Sequence, residues 1–127
     1  MKILVIQQKM IGDVLTSSIL FEAIKLKYPD AETHYVINSH THAVVKNNPY
    51  IDKFQFVGQE IQKSKKQLFI FSKNLKEEQF DVVIDVYSKT SSNIMSWFTK
   101  AKTRISKYKY YTAFIYTHTF KDKKNPV

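Results

Sequence analysis

Apolar residues fall along this chain in two alternating patterns. Ile3-Leu4-Val5-Ile6 is an unbroken, β-branched run, the pattern of a strand covered on both faces. From Val14 the period changes: Leu15, Ile19 and Ala23 form an i,i+4 row, with Leu20 and Ile24 beside it. That predicts one amphipathic helix to about Tyr28, stopped by Pro29-Asp30. Residues 32–37 (ETHYVI) predict a second strand, and Thr41 to Lys46 a short helix before Asn47-Asn48-Pro49. Residues 53–57 (KFQFV) alternate and predict a third strand. Residues 60–79 predict a long helix with Ile61, Leu68, Phe71 and Leu75 inward and Lys63, Lys65, Lys66, Lys73 and Lys76 outward. Residues 81–86 (DVVIDV) give a fourth strand. Residues 91–100 give a helix with Ile94, Trp97 and Phe98 inward, and residues 102–106 a weak fifth strand.

Strands alternating with helices at these lengths predict an α/β domain: a Rossmann-like parallel sheet, order 3-2-1-4-5, with helices on both faces. Such sheets bind ligands beyond the carboxyl ends of their strands. Those ends are Gln7 to Asp13, Asn38 to His42, Gly58 to Glu60, and Tyr87 to Ser91.

Composition narrows the chemistry. The 127 residues contain no Cys, which removes disulfides, thiolate metal sites and a thiol nucleophile. Two Gly residues leave no Gly-rich phosphate loop. No run is apolar enough for a signal-peptide core or a membrane span, and a cytoplasmic protein is expected. Residues 1–61 balance six Lys against six acids, while residues 62–127 carry 14 Lys and Arg against five acids, net +9. A basic excess on one half points to an anionic partner or to a merely solvated face.

Four constellations carry candidate chemistry. Gly12-Asp13 opens the first helix: Gly12 permits a sharp turn or close approach of a ligand, and Asp13 is either an N-terminal cap or a general base. Asp85 ends the fourth strand, where a receiver domain carries its phosphoacceptor. The acidic pair which that chemistry needs after strand one is replaced by Gln7 and Gln8. His34, His40 and His42 lack an evident third ligand geometry, and no metal site is predicted. Between Trp97 and Phe120, Tyr108, Tyr110, Tyr111, Phe114 and Tyr116 interleave with Lys100, Lys102, Arg104, Lys107 and Lys109. That pattern suits a membrane interface, base stacking or packing on the sheet edge, and no nucleic-acid module accompanies it.

The opening MKILVIQQKMIGDVLTSSILFEAIKLKYPDAE, then NNPYIDKF, EEQFDVVIDVYS and AKTRIS, resemble successive segments of the family 9 glycosyltransferases, the ADP-heptose:lipopolysaccharide heptosyltransferases and their relatives. Tyr87-Ser88-Lys89 and Ser106 depart from the family's small-residue turn and glycine. The resemblance implies the N-terminal half of a GT-B fold. Residues 1–120 would form the acceptor-binding domain and 121–127 a polar tail or the start of a linker, with the C-terminal donor domain absent. It implies inverting transfer from a nucleotide-sugar such as ADP-heptose, without cofactor or metal, to an anionic glycolipid acceptor. Asp13 would be the base, and Gln8, Lys9, Gly12, His40, Tyr87, Ser88, Lys89 and Lys107 the substrate contacts. It further implies contact with the cytoplasmic face of the inner membrane, no nucleic-acid partner, and inactivity of these 127 residues alone.

Overall fold

Burial of the two apolar runs sets the middle of the sheet. In a computed structural model describing residues 1–107 and 115–120, β1 (Lys2–Ile6) lies between β2 (Glu32–Asn38) and β4 (Val82–Asp85). Both pairings are parallel, and Ile3 to Ile6 are all buried. Ile6 stands opposite Val36 on one side and Asp85 on the other, so β1 and β4 end level and β2 runs two residues further, to Asn38. β3 (Lys53–Val57) flanks β2, and β5 (Thr103–Lys107) flanks β4. A sixth parallel strand, β6 (His118–Phe120), extends the predicted order to 3-2-1-4-5-6. The segment 108–114 that precedes it holds Tyr108, Tyr110, Tyr111 and Phe114, which lie outside the described residues, as does the tail 121–127.

Two helices replace each of the two long ones predicted. α1 (Ile11–Ser17) and α2 (Ile19–Lys27) meet at Ser18, whose hydroxyl turns back on the Leu15 carbonyl at 2.5 Å and competes with the helical ladder. α3 (Gln59–Lys63) and α4 (Lys65–Glu77) break at Ser64, which is extended and accepts the Gln67 N–H at 3.3 Å as an N-cap. The predicted helix at 41–46 is a 3₁₀ helix, Ser39–Val44. α5 runs from Thr90 to Thr99.

Each face of the sheet has its own core. On one, Leu4, Ile6, Val36, Val57 and Val83 meet Leu75 of α4 and Met95 of α5. On the other, Val5, Tyr35 and Ile37 meet Val14 of α1 and Phe21 of α2. The inward rows differ from those read in the sequence. Val14 and Phe21 are buried while Leu15 and Ile19 face outward, because Phe21 packs edge-on against Tyr35 at 4.8 Å and the Tyr35 hydroxyl donates to the Val14 carbonyl at 2.8 Å. On α5 the inward row is Ser92, Met95, Ser96 and Thr99, and Trp97 points out, with Lys100 4.9 Å and Arg104 5.7 Å from its ring.

Candidate functional site at the carboxyl ends of the strands

Beyond the carboxyl ends of β1, β2 and β4 lies a cleft of about 360 Å³. Gln8 follows β1, Asn38 closes β2, Ile61 and Gln62 come from α3, Leu68 from α4, Tyr87 from the turn after β4 and Ser91 from α5. A belt of hydrogen bonds crosses its floor. The Gln62 amide donates to Asn38 Oδ1 at 2.8 Å, the Asn38 amide to the Gln8 carbonyl at 2.7 Å, and the Ser91 hydroxyl to Gln8 Oε1 at 3.3 Å. The lining thus offers amides, hydroxyls and apolar side chains but no formal charge. Such a wall both gives and accepts hydrogen bonds, as a polyhydroxylated ligand requires, and has no cation to hold a diphosphate.

Sequence reasoning placed Gln8 and Tyr87 at this site, and both line the cleft. It placed Asn38 and Ser91 at the strand ends without naming them as contacts, and it missed Ile61, Gln62 and Leu68. The signal for Asn38 was present, since it is the last residue of β2. Gln62 is brought in by the break at Ser64, which the hydrophobic period does not show.

The remaining predicted residues surround the cleft without lining it. Asp13 is the third residue of α1, and its Oδ2 accepts the Met10 N–H at 3.3 Å. Its Oδ1 has no hydrogen-bond partner among the described residues. Gly12 sits inside α1 rather than in a loop, without positive φ, and a Cβ there would meet nothing within 4 Å. The fold does not require this glycine, and the space beside it is open. Lys9 is exposed and donates its N–H to Gln7 Oε1 at 3.2 Å; the Gln7 amide in turn holds Ser17 at 3.0 Å. His40 is exposed on the 3₁₀ helix, and Lys89 is exposed just before α5. Lys107 ends β5, and its side chain is outside what the structure describes.

Ser88 departs most from its predicted place. It is buried, with a left-handed φ of 55°, and its hydroxyl donates to the Asp85 carbonyl and shares a hydrogen bond with Ser106 at 2.6 Å. Ser88 shapes the turn rather than facing the cleft. Asp85 explains that turn. It is fully buried, and its Oδ1 accepts the N–H groups of Tyr87 at 3.1 Å and Ser88 at 2.8 Å. The Tyr116 hydroxyl lies 2.5 Å from Asp85 Oδ2 and 2.7 Å from Asn93 Oδ1. Burial raises the Asp85 carboxyl above the usual carboxylate range, against the pull of these donors. Burial, with the carboxyl beside it, also pushes the Tyr116 phenol up. A carboxyl so enclosed is no exposed phosphoacceptor.

His34 and His42 are occupied structurally. His42 packs edge-on against Phe54 and Phe56 at 4.7 and 4.9 Å. Buried His34 sits at the opposite end of the sheet, 2.5 Å from Glu32, with Glu78 close by. Lys2 is 2.9 Å from Glu78 and 3.7 Å from Glu32, and Lys53 is 3.8 Å from Glu32, so this cluster already holds its own cations.

No family model matches the chain. Lipopolysaccharide heptosyltransferase 1 of Campylobacter coli is 27% identical over 96 residues, which is 76% of this chain and 28% of that protein. The solved family 9 glycosyl transferase from Veillonella parvula superposes with a TM-score of 0.87 at 20% identity over 98% of this chain. Escherichia coli ADP-heptose lipopolysaccharide heptosyltransferase II does so with 0.81 at 19% over 98%. The fold is that of the family 9 glycosyltransferases. Heptosyltransferase WaaC of E. coli, solved with ADP, shares it at a TM-score of 0.77 and 14% identity. The chain spans 28% of the curated relative and between 36% and 42% of these solved glycosyltransferases.

Proposed function

We propose that this chain is the acceptor-side domain of a glycosyltransferase of the heptosyltransferase type. The observation that carries the reading is the uncharged amide–hydroxyl belt of Gln62, Asn38, Gln8 and Ser91 at the carboxyl ends of a heptosyltransferase-like sheet. It suits the hydroxyl groups of a sugar, and no lining side chain is a cation that would hold a diphosphate. The donor, a nucleotide-sugar such as ADP-heptose, would be held by a second domain facing this end of the sheet. The acceptor would be an anionic glycolipid of the lipopolysaccharide type at the cytoplasmic side of a membrane. The basic excess after residue 61 supports an anionic acceptor.

In this reading Asp13 removes the proton from the acceptor hydroxyl. That oxygen bonds to the anomeric carbon from the face opposite the leaving group. The bond from anomeric carbon to diphosphate oxygen breaks, the nucleoside diphosphate leaves with the electron pair, and the configuration inverts. A carboxylate near a helix N-terminus is a weak base. It suffices where the transition state is oxocarbenium-like and the proton leaves late. The rest is positioning and the separation of charge, and the mechanism calls for no metal.

Asp13→Asn in the longer protein carrying this domain tests the assignment, with kcat measured beside a melting curve. Asn keeps a side-chain oxygen for the Met10 N–H that Asp13 accepts within the first turn, so the melting curve should move by no more than the loss of one first-turn charge, about 0.3–1 kcal/mol. Turnover should fall by about 100- to 10,000-fold, the usual cost of losing a general base. A normally melting variant that keeps more than roughly a tenth of its turnover leaves Asp13 as a cap only.

A further inference from the structure

The basic excess of the second half is not spread evenly over the surface. On α4, Lys65, Lys66, Phe69, Ile70, Lys73 and Lys76 are all exposed and recur every three or four residues, opposite the buried Ser72 and Leu75. Phe69 is 49% exposed and Ile70 43%. Across the groove, α5 presents Phe98, which meets Phe69 edge-on at 4.9 Å, and Trp97, which is 40% exposed. Phe69, Lys73, Lys76 and Phe98 line one hollow, and Lys76, Lys100 and Lys102 line the next. Lys65, Lys66, Lys73, Lys76 and Lys102 have no ion-pair partner among the described residues. The acids in these hollows are Glu77 and Asp81, and Asp81 already accepts the backbone N–H of Lys2.

We propose that the α4–α5 face is a docking surface for an anionic lipid bilayer, with Phe69, Ile70, Phe98 and Trp97 entering the headgroup boundary between lysines that meet the lipid charges. The charge complementarity is one-sided: the hollows hold four lysines, Lys73, Lys76, Lys100 and Lys102, against two acids, and Lys65 and Lys66 extend the row along α4. Lysine stems can lie along the aromatic surface while their heads reach the phosphates. The other exposed apolar row, Ile11, Leu15, Ile19 and Leu26 on α1–α2, has Glu22 on the same outer side and lacks such a ring of free cations. The reading deepens the proposed function by placing its membrane contact. Leu68 and Ser91, which line the cleft, lie near the starts of the same two helices whose far ends, at Lys76 and Lys100, border the hollows, so a docked domain holds the cleft about 12 Å, eight residues of α4, from Lys76.

Trp97 is the single Trp of the chain and therefore reports on this face alone. The 127-residue protein is mixed with vesicles of phosphatidylcholine containing about a third phosphatidylglycerol, with vesicles of phosphatidylcholine alone, with soluble glycerol phosphate and with single-stranded DNA. Co-sedimentation and a blue shift of Trp97 emission are expected with the anionic vesicles only. Lys73→Gln/Lys76→Gln/Lys102→Gln should weaken that binding by about a hundredfold, at about fivefold for each lysine near a charged surface. Phe69→Ser should weaken it while leaving the melting curve near that of the parent. Sedimentation without a shift of Trp97, equal binding by the triple variant, or loss of binding on Leu15→Ser instead would each overturn the assignment. So would a tighter response to DNA than to vesicles. None of these outcomes bears on the Asp13→Asn turnover test, which stands or falls separately.

Discussion

At the scale of single residues, Asp85 shows what a buried carboxyl can do without a charge partner. Its Oδ1 fixes the backbone of Tyr87 and Ser88, and Tyr116 lies between Asp85 Oδ2 and Asn93 Oδ1 with one proton to give. The Tyr116 hydroxyl donates towards both oxygens from a single proton, so it compensates a charge on Asp85 only in part. Burial favours the neutral form of the carboxyl. The consequence for stability has a definite sign. The unfolded chain releases this proton near the ordinary carboxylate pKa, about 4, and the folded chain holds it to a higher pH. Stability is therefore fully present below about pH 4 and falls as pH rises towards the raised folded pKa, by up to about 1.4 kcal/mol per pH unit. Glu32, Asp52 and Glu78 are lowered by their His34 and Lys partners, and they act the other way, losing stability only as pH falls through the acid range. Asp85→Asn mimics the neutral acid. Urea melts at pH 5 and pH 8 should show the parent losing stability at the higher pH and the variant losing markedly less; identical slopes would mean an ionised Asp85. Gly12 supports a second prediction at this scale. It lies within α1 with open space at its Cβ, so Gly12→Ala should stabilise the fold by about 0.5–1 kcal/mol. If the open space serves a ligand, the same variant loses turnover while melting higher. Unchanged turnover would show that nothing approaches this backbone.

At the scale of elements, the strands were legible and the helices less so. β1 and β4 announce themselves by runs that only a doubly covered strand can carry, and the change of period at Val14 marks a helix. What periodicity does not carry is which apolar row faces in. α1–α2 has two such rows, and the choice was made by a partner distant in sequence, Tyr35, which takes Phe21 against its ring and the Val14 carbonyl on its hydroxyl. The same holds for α5, where small Ser92 and Ser96 face inward and let the helix approach the sheet, while Trp97 stays outside. The breaks at Ser18 and Ser64 rest on hydroxyl-to-backbone bonds that a hydrophobic pattern does not contain. The cleft was half legible for this reason: Gln8 and Tyr87 follow strands, but Gln62 enters through the break at Ser64. Ser64→Ala should therefore cost about 1 kcal/mol in a denaturant melt, with Ser64→Asn restoring most of it. If both variants match the parent, the cap contributes nothing and the break has another cause.

At the scale of the whole molecule, fold and charge divide the work of binding. The described residues place a sheet of heptosyltransferase type, a neutral polar cleft at its carboxyl end and an uncompensated cationic face on two of its helices. None of the cleft's lining residues is cationic, and the two glycines form no phosphate loop. A nucleotide diphosphate is thus left without a counter-charge inside the cleft, although the solved relative WaaC is described with ADP. The matched chains are more than twice as long as this one, so the groups that hold ADP there need not lie in the region shared with it. The 127 residues by themselves should accordingly bind no ADP-sugar. Calorimetry with ADP-heptose should give no saturable heat up to millimolar ligand, a limit of about −4 kcal/mol. A micromolar Kd, about −8 kcal/mol, would place the donor on this domain. The division into an acceptor half and a separate donor half would then have to be abandoned, and the exposed Lys9 and Lys89 beside the cleft would become the first residues to replace.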